Sequence, residues 1–220
     1  MDFLLDPKRI KGRLGHTNMT KHQSQAERRK QILRSARAVF IDKGYLVARV
    51  EDVAKRAGLS KGAVYFYFES KRHLFVALME EEHERTYSFI EQVDQDDRPA
   101  EIKLLDLGQQ YVKYFAGLKS PPRFFLMMCE QGIRDEEIRA KCQAVHTRFV
   151  EASTRVIAQG MAEGTFRDGN PQAIAEMLKA TIDGFAGQAA IGMRPDPERL
   201  LGDGMQMILN GLLKGESDAS

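Results

Sequence analysis

With 220 residues, 43% hydrophobic and 29% charged, the chain is long enough for one large domain or two small ones and has the composition of a soluble globular protein. No stretch approaches the roughly 20 apolar residues of a membrane span; the charged start MDFLLDPKRIKGRLGH lacks the apolar centre of an export signal; and two cysteines, Cys129 and Cys142, make no disulfide framework. These features argue against a membrane or disulfide-stapled secreted protein and predict a cytoplasmic one, while the net charge of +2 hides a split, 17 Lys and Arg against 7 Asp and Glu in residues 1–75 and 16 against 24 in the remainder.

Residues 1–23, with Lys8, Arg9, Lys11, Arg13 and Lys21 and no apolar period, read as a flexible basic arm. A first helix is expected from Ser24, an N-cap with Glu27 three residues on. Ile32, Ala36, Val39 and Phe40 share one of its faces, and Gly44 ends it. Val50, Val53, Ala54 and Ala57 form the buried stripe of a short second helix that Gly58 stops. Leu59 drops into the core from the turn, and Ser60 caps a third helix over 61–68. Ser70 caps a long fourth helix whose apolar face is Phe75, Leu78, Met79, Thr86, Phe89, Ile90 and Val93; Glu80, Glu81 and Glu82 read as a solvated acidic face. After the polar run at 94–99, helices are predicted over about 100–117, 121–131, 135–162, 171–192 and 197–213, separated by Pro and Gly clusters. No alternating strand pattern or internal repeat appears. The predicted fold is all-α: a three-helix head over 24–75 joined by the fourth helix to a larger helical domain over 76–220.

Two short helices around a Gly-containing three-residue turn have helix-turn-helix geometry. The third helix holds Tyr65, Phe66, Tyr67 and Phe68 in a row. At about 100° per residue, four adjacent aromatics sweep roughly 300° and cannot all be buried. Val64 and Phe68 are the natural inward pair, which turns Tyr65, Phe66 and Tyr67 at least partly outward. Tyr hydroxyls can donate to phosphate oxygens, and apolar edges can meet thymine methyls. Gly62 and Ala63 keep the start of the helix low, and Lys55, Arg56, Lys61, Lys71 and Arg72 frame it. A basic first third beside an acidic remainder fits a polyanion partner at one end. Packing of the aromatics against a later domain, and a merely solvated basic surface, are the alternatives these residues leave open.

Residues 27–78, with Ala-x-x-Val-Phe, Lys-Gly-Tyr, the run Val50 to Lys71 (VEDVAKRAGLSKGAVYFYFESK) and Leu74, resemble the DNA-binding domain of TetR-family regulators. The resemblance implies a homodimer on a palindromic operator, most commonly as a repressor, and a C-terminal domain that binds a small, largely apolar inducer. It places Lys61, Gly62, Ala63, Tyr65, Phe66, Tyr67 and Lys71 at DNA: Tyr65, Tyr67 and Lys71 on phosphates, the others facing bases. The chain departs from its relatives at Ala48 and Arg49, where they carry Thr or Ser. A guanidinium has no acceptor and cannot cap a helix, but it can reach a phosphate with two donors. Arg49 is therefore a candidate phosphate contact without a cap, or a solvated side chain.

In the C-terminal half Tyr111, Phe115, Phe125, Met128, Phe149 and Phe185 are candidate pocket residues, with His146 as a polar contact; each is equally a candidate for ordinary core. Gly184 and Gly187, with Leu201, Met205, Ile208 and Leu212, are candidates for the dimer face that the family builds from its last helices, or for packing within one chain. No nucleophile elbow, phosphate loop, dinucleotide fingerprint or zinc-ligand spacing is present, so neither an enzyme nor a cofactor or metal is expected. A ligand-responsive activator, and a helical small-molecule-binding protein with no DNA role, are the alternative functions.

Overall fold

The computed structural model describes residues 24–117, 122–193, 196, 199 and 203–212. The predicted basic arm and Leu201 lie outside them. The described residues form nine helices: α1 Gln25–Lys43, α2 Val50–Ala57, α3 Lys61–Tyr67, α4 Lys71–Asp94, α5 Ala100–Gly117, α6 Arg123–Arg134, α7 Glu136–Ala162, α8 Pro171–Ala190 and α9 Met205–Leu212. None is long and apolar enough to cross a membrane.

Local chemistry sets the helix ends. The Ser24 hydroxyl accepts from the Glu27 amide at 3.1 Å and the Glu27 carboxylate accepts from the Ser24 amide at 2.8 Å, a complete capping box. Gly58 ends α2 at φ 67° and ψ 32°, a left-handed conformation that a Cβ disfavours. Ser60, Ser70 and Asp135 cap α3, α4 and α7, each side chain accepting from the amide three residues on. At α2 the Arg49 side chain makes no cap, as its chemistry requires. The reciprocal half survives: the Asp52 carboxylate accepts from the Arg49 amide at 3.0 Å.

Two apolar cores lie along α4. The first gathers Ile32, Leu33 and Phe40 of α1, Val50 and Val53 of α2, Val64, Phe68 and residues 74–79, and it continues into Phe124, Met127, Met128 and Ile138 of α6 and α7. The second joins Ile90 and Val93 to α5, the middle of α7, Phe166 and Ala175. The expected division at 75/76 therefore falls inside α4 and inside the first core. The head does not bury itself alone; α6 completes it. Edge-on and tilted aromatic contacts mark the seam, with Phe75 5.7 Å from Phe40, 4.8 Å from Tyr45 and 5.2 Å from Phe124 between ring centres.

Glu82 corrects the expectation of a solvated acidic face at 80–82. It is 3% exposed and ion-paired with Arg37 of α1, and Arg85 Nη2 lies 3.2 Å from its Oε1. Its register explains the burial: Glu82 follows Leu78 by one turn, on the face that packs against α1 and α6.

Candidate functional site

The outer surface of α3 follows from its inner one. Val64 and Phe68 are fully buried, and the opposite face presents Lys61, Gly62, Tyr65 (41% exposed) and Phe66 (75% exposed). Ala63 and Tyr67 are half-buried, Tyr67 against the first core. A Cβ built on Gly62 meets nothing closer than the Ser60 hydroxyl at 4.0 Å. No neighbour inside the protein requires glycine there.

The α1–α2 turn is held to the start of α4. Lys71 Nζ donates to the Tyr45 carbonyl at 2.8 Å and the Leu46 carbonyl at 3.1 Å and lies 4.7 Å above the Tyr45 ring; this partial burial lowers its pKa. Leu46, Val47 and Arg49 are exposed beside it. Three further cations of the head are paired with carboxylates: Lys61 with Glu51, Arg56 with Asp42 at 3.0 Å and Lys43 with Asp52 at 2.6 Å. Arg72 leaves the basic frame predicted for α3. It reaches the α6–α7 junction, Nε to Asp135 Oδ2 at 2.6 Å, Nη2 to Asp135 Oδ1 at 3.0 Å and Nη2 to Glu137 Oε2 at 2.6 Å. That guanidinium and the Ile138 amide hold the Asp135 pKa down to about 2.

Behind the head lies a cavity of about 310 Å³ lined by α1, α4, α6, α7 and α8. Phe124, Phe125, Met128 and Val145 supply apolar wall; Arg37, Glu82, His83, Lys179 and Asp183 supply charge and polarity. Burial pushes the His83 pKa down to about 4, with Lys141 adding to the effect and Glu80 opposing it. Partial desolvation raises the pKa of the Cys129 thiol, which remains exposed at the cavity edge, and burial pushes Cys142 up to about 11, so both cavity thiols stay protonated at neutral pH.

Of the pocket candidates read from sequence, Phe125, Met128 and His146 line this cavity, His146 as an exposed residue at its edge. Phe149 does not; it is fully buried in the second core, its ring 5.7 Å from Lys179 Nζ. Phe185 is half-buried away from the lining. The side chains of Tyr111 and Phe115 lie outside the described residues. Sequence reading missed Arg37, Glu82, His83, Lys179 and Asp183. Among the described residues no three His, Cys, Asp or Glu gather as metal ligands would.

Of the dimer-face candidates, Gly184 is exposed and Gly187 half-buried, and a Cβ at either meets nothing within 4 Å. Met177, Thr181, Gly184 and Gln188 of α8, with Ile191 just past its end, recur at helical spacing as one exposed stripe, Met177 at 72% and Ile191 at 69%. Met205, Ile208 and Leu212 are helical in α9. Leu212 packs against the second core of its own chain, and the Met205 and Ile208 side chains lie outside the described residues.

Comparison with known proteins gives two sequence-family matches. The family described as bacterial regulatory proteins, tetR family, matches residues 32–78. The C-terminal domain of BetI-type transcriptional repressors matches residues 121–209. The fatty acid metabolism regulator protein of Bacillus subtilis (strain 168) is 24% identical over 155 residues, 70% of this chain and 78% of that one. A transcriptional regulator from Saccharomonospora viridis, solved with choline, superposes with a TM-score of 0.74 at 20% identity, covering 87% of this chain and 100% of the other. The regulator FadR of Bacillus subtilis, solved with stearoyl-CoA, superposes at 0.67 and 20% identity, covering 83% and 98%.

Proposed function

This chain belongs to the TetR family of transcriptional regulators, and on that premise we propose that it is a repressor that binds a palindromic operator as a homodimer and is released by a small ligand held in the cavity between α1, α4, α6, α7 and α8. The observation that carries the DNA reading is the outer face of α3. A seven-residue helix presents a cation, a glycine with open space around it, and two large aromatics to solvent. The chain buries neither aromatic and fills no space at the glycine; both suit close approach to base edges and phosphates in a major groove. In this reading Lys61, Gly62, Ala63 and Phe66 face bases, while Tyr65, Tyr67, Lys71 and Arg49 reach phosphates.

The exposed stripe of α8 supports the dimer. Small residues at Gly184 and Gly187 admit a close helix, and Met177 and Ile191 give it apolar surface to bury. A two-fold dimer places its recognition helices about 34–36 Å apart, one turn of the duplex. The cavity supports the ligand reading through its mixed apolar and charged lining. Ligand complexes are known among its structural neighbours, with choline in one and stearoyl-CoA in another.

A gel-shift titration of the full chain against DNA upstream of its own coding region tests the proposal, with unrelated DNA as competitor and sedimentation in parallel. The expected result is a salt-sensitive complex resistant to the competitor, formed by a dimer. A stable monomer at micromolar concentration, or equal affinity for both DNAs, would overturn it.

A further inference from the structure

One wall of the cavity belongs to the DNA-reading head itself. Arg37 lies on α1, among the residues that match the tetR pattern, and it lines the cavity with residues of α4, α6, α7 and α8. Its guanidinium lies 5.3 Å above the Phe124 ring and pairs with the buried carboxylate of Glu82. Glu82 has a second cation at hand, Arg85 Nη2 at 3.2 Å, which is half-exposed where Arg37 is not. On the α8 side Lys179 pairs with Asp183.

A buried charge deprived of its partner is strongly destabilising. A charged ligand head entering this cavity must therefore exchange one pairing for another. A cationic head on Glu82 would crowd a third positive group against one carboxylate and displace Arg37 from its partner. An anionic head on Arg37 leaves Glu82 with Arg85, so every buried charge stays paired. His83 adds no competing charge at neutral pH, because burial keeps its imidazole deprotonated.

We propose that the cavity takes a compact amphiphile with an anionic head, a carboxylate on an apolar tail, and that this head takes Arg37 from Glu82. The tail lies against Phe124, Phe125, Met128 and Val145, and the volume of about 310 Å³ suits a small ligand. Because Arg37 is part of α1, the ligand is read by the head directly as well as through α4. The proposal rests on the cavity being the ligand site, and the two are tested separately below.

The probes are octanoate, octan-1-ol and octyltrimethylammonium, which share a tail and differ in head charge. Calorimetric titration of the full-length protein should give octanoate about tenfold or more tighter binding than octanol, the weight of one charge-assisted hydrogen bond. The ammonium should bind weakest. Arg37→Met should abolish the preference for octanoate. Arg37→Met with Glu82→Gln, which removes both buried charges together and is the safer variant for folding, should bind octanoate and octanol alike. Fluorescence anisotropy of labelled operator should show octanoate releasing the wild type and not the double variant. Equal binding of the three probes, preference for the ammonium, or an octanoate preference that survives Arg37→Met would overturn the inference while leaving the cavity as the ligand site. Preference lost only in Lys179→Met would move the head to α8 and also overturn it. Octyl binding wholly unaffected by Cys142→Phe, which puts a ring into the cavity wall and narrows the space for a tail, or no binding of any probe, would overturn the cavity reading as well.

Discussion

Gly62 is exposed in the first turn of α3, with φ in the ordinary range and open space where a side chain would stand. Glycine in a helix is less favourable than alanine by roughly 0.5–1 kcal/mol. Gly62→Ala should therefore leave stability unchanged or raise it by up to about 1 kcal/mol, while lowering operator affinity, because the added methyl stands between backbone and base edge. Urea unfolding and operator anisotropy, measured on the same preparation, check the two directions together; unimpaired binding would remove Gly62 from the interface. Lys71 carries three N–H donors, two of them engaged by Tyr45 and Leu46. The third is available to a phosphate. Lys71→Ala should weaken operator and unrelated DNA by similar factors and reduce the salt slope by about 0.9 per protomer, roughly 1.8 per dimer. A slope unchanged within error would assign Lys71 to the turn alone. His83 makes a pH prediction. Its native pKa of about 4 lies below the unfolded value near 6.5. Between those values the unfolded chain binds a proton that the native chain refuses, so stability rises with pH through this window and levels off above it. The rise is on the order of 3 kcal/mol across the whole window. His83→Phe should flatten that part of the profile in urea unfolding series; a slope equal to the wild type would overturn the assignment.

At the scale of elements, the apolar periodicity carried most of the information. The caps at Ser24, Ser60 and Ser70 and the stop at Gly58 were legible because each is a local chemical signature, and the helices from α1 to α8 follow from them and from the stripes between. The inward pair Val64 and Phe68 was legible because a short helix has only one inner face. The cavity was not, because its polar residues sit in core register. Arg37 follows Leu33 by four and precedes Phe40 by three; Glu82 follows Leu78 by four; Lys179 follows Ala175 by four. Sequence reading assigns a charge to solvent by default, whereas a charge inside an apolar stripe marks a buried pair. Arg72 was misassigned for a related reason: its partners Asp135 and Glu137 are more than sixty residues away, and no local pattern reports them. The turn after α7 shows a further long-sighted constraint. Phe166 folds back over Gly160, its amide donating to the Gly160 carbonyl at 2.9 Å, and a methyl added at Gly160 would land on the Phe166 ring. Gly160→Ala should cost about 1–3 kcal/mol by overpacking, seen as a lower urea midpoint at unchanged slope. Adding Phe166→Ala should give a total smaller than the two separate costs, since the clash is shared. Strict additivity would show that the two residues do not meet.

For the molecule as a whole, two physical connections besides the Arg37 wall join the head to the cavity. One is the Arg72 clasp on Asp135 and Glu137, at the α6–α7 junction. The other is the aromatic run from Phe124, in the cavity wall, through Phe75 to Tyr45, whose carbonyl holds Lys71. If a ligand shifts the spacing of the recognition helices, it does so by binding the mismatched arrangement better, and that difference in affinity limits the effect. A coupling of 1–3 kcal/mol corresponds to roughly 5- to 150-fold weaker DNA binding, and DNA must weaken ligand binding by the same factor. Reciprocity gives a test that needs no identified ligand: operator alone must bias the cavity helices. Hydrogen exchange of the free protein and the operator complex should show added protection in residues 123–145, to which no DNA contact is assigned, as well as in 44–71. Asp135→Asn separates clasp from fold. Asparagine caps a helix about as well as aspartate, so α7 keeps its start, while the charged bidentate partner of Arg72 is lost. The variant should bind operator and retain protection over 44–71 but lose most of the operator-induced protection over 123–145. Its ligand response should weaken in step. The Asp135 pKa of about 2 means that the clasp stays ionised at every pH suited to the experiment, so lowering pH cannot substitute for the mutation. Operator-induced protection confined to 44–71 in the wild type would mean that the cavity and the recognition helices are not coupled through this junction, and regulation by ligand would then have to act through the Arg37 wall alone.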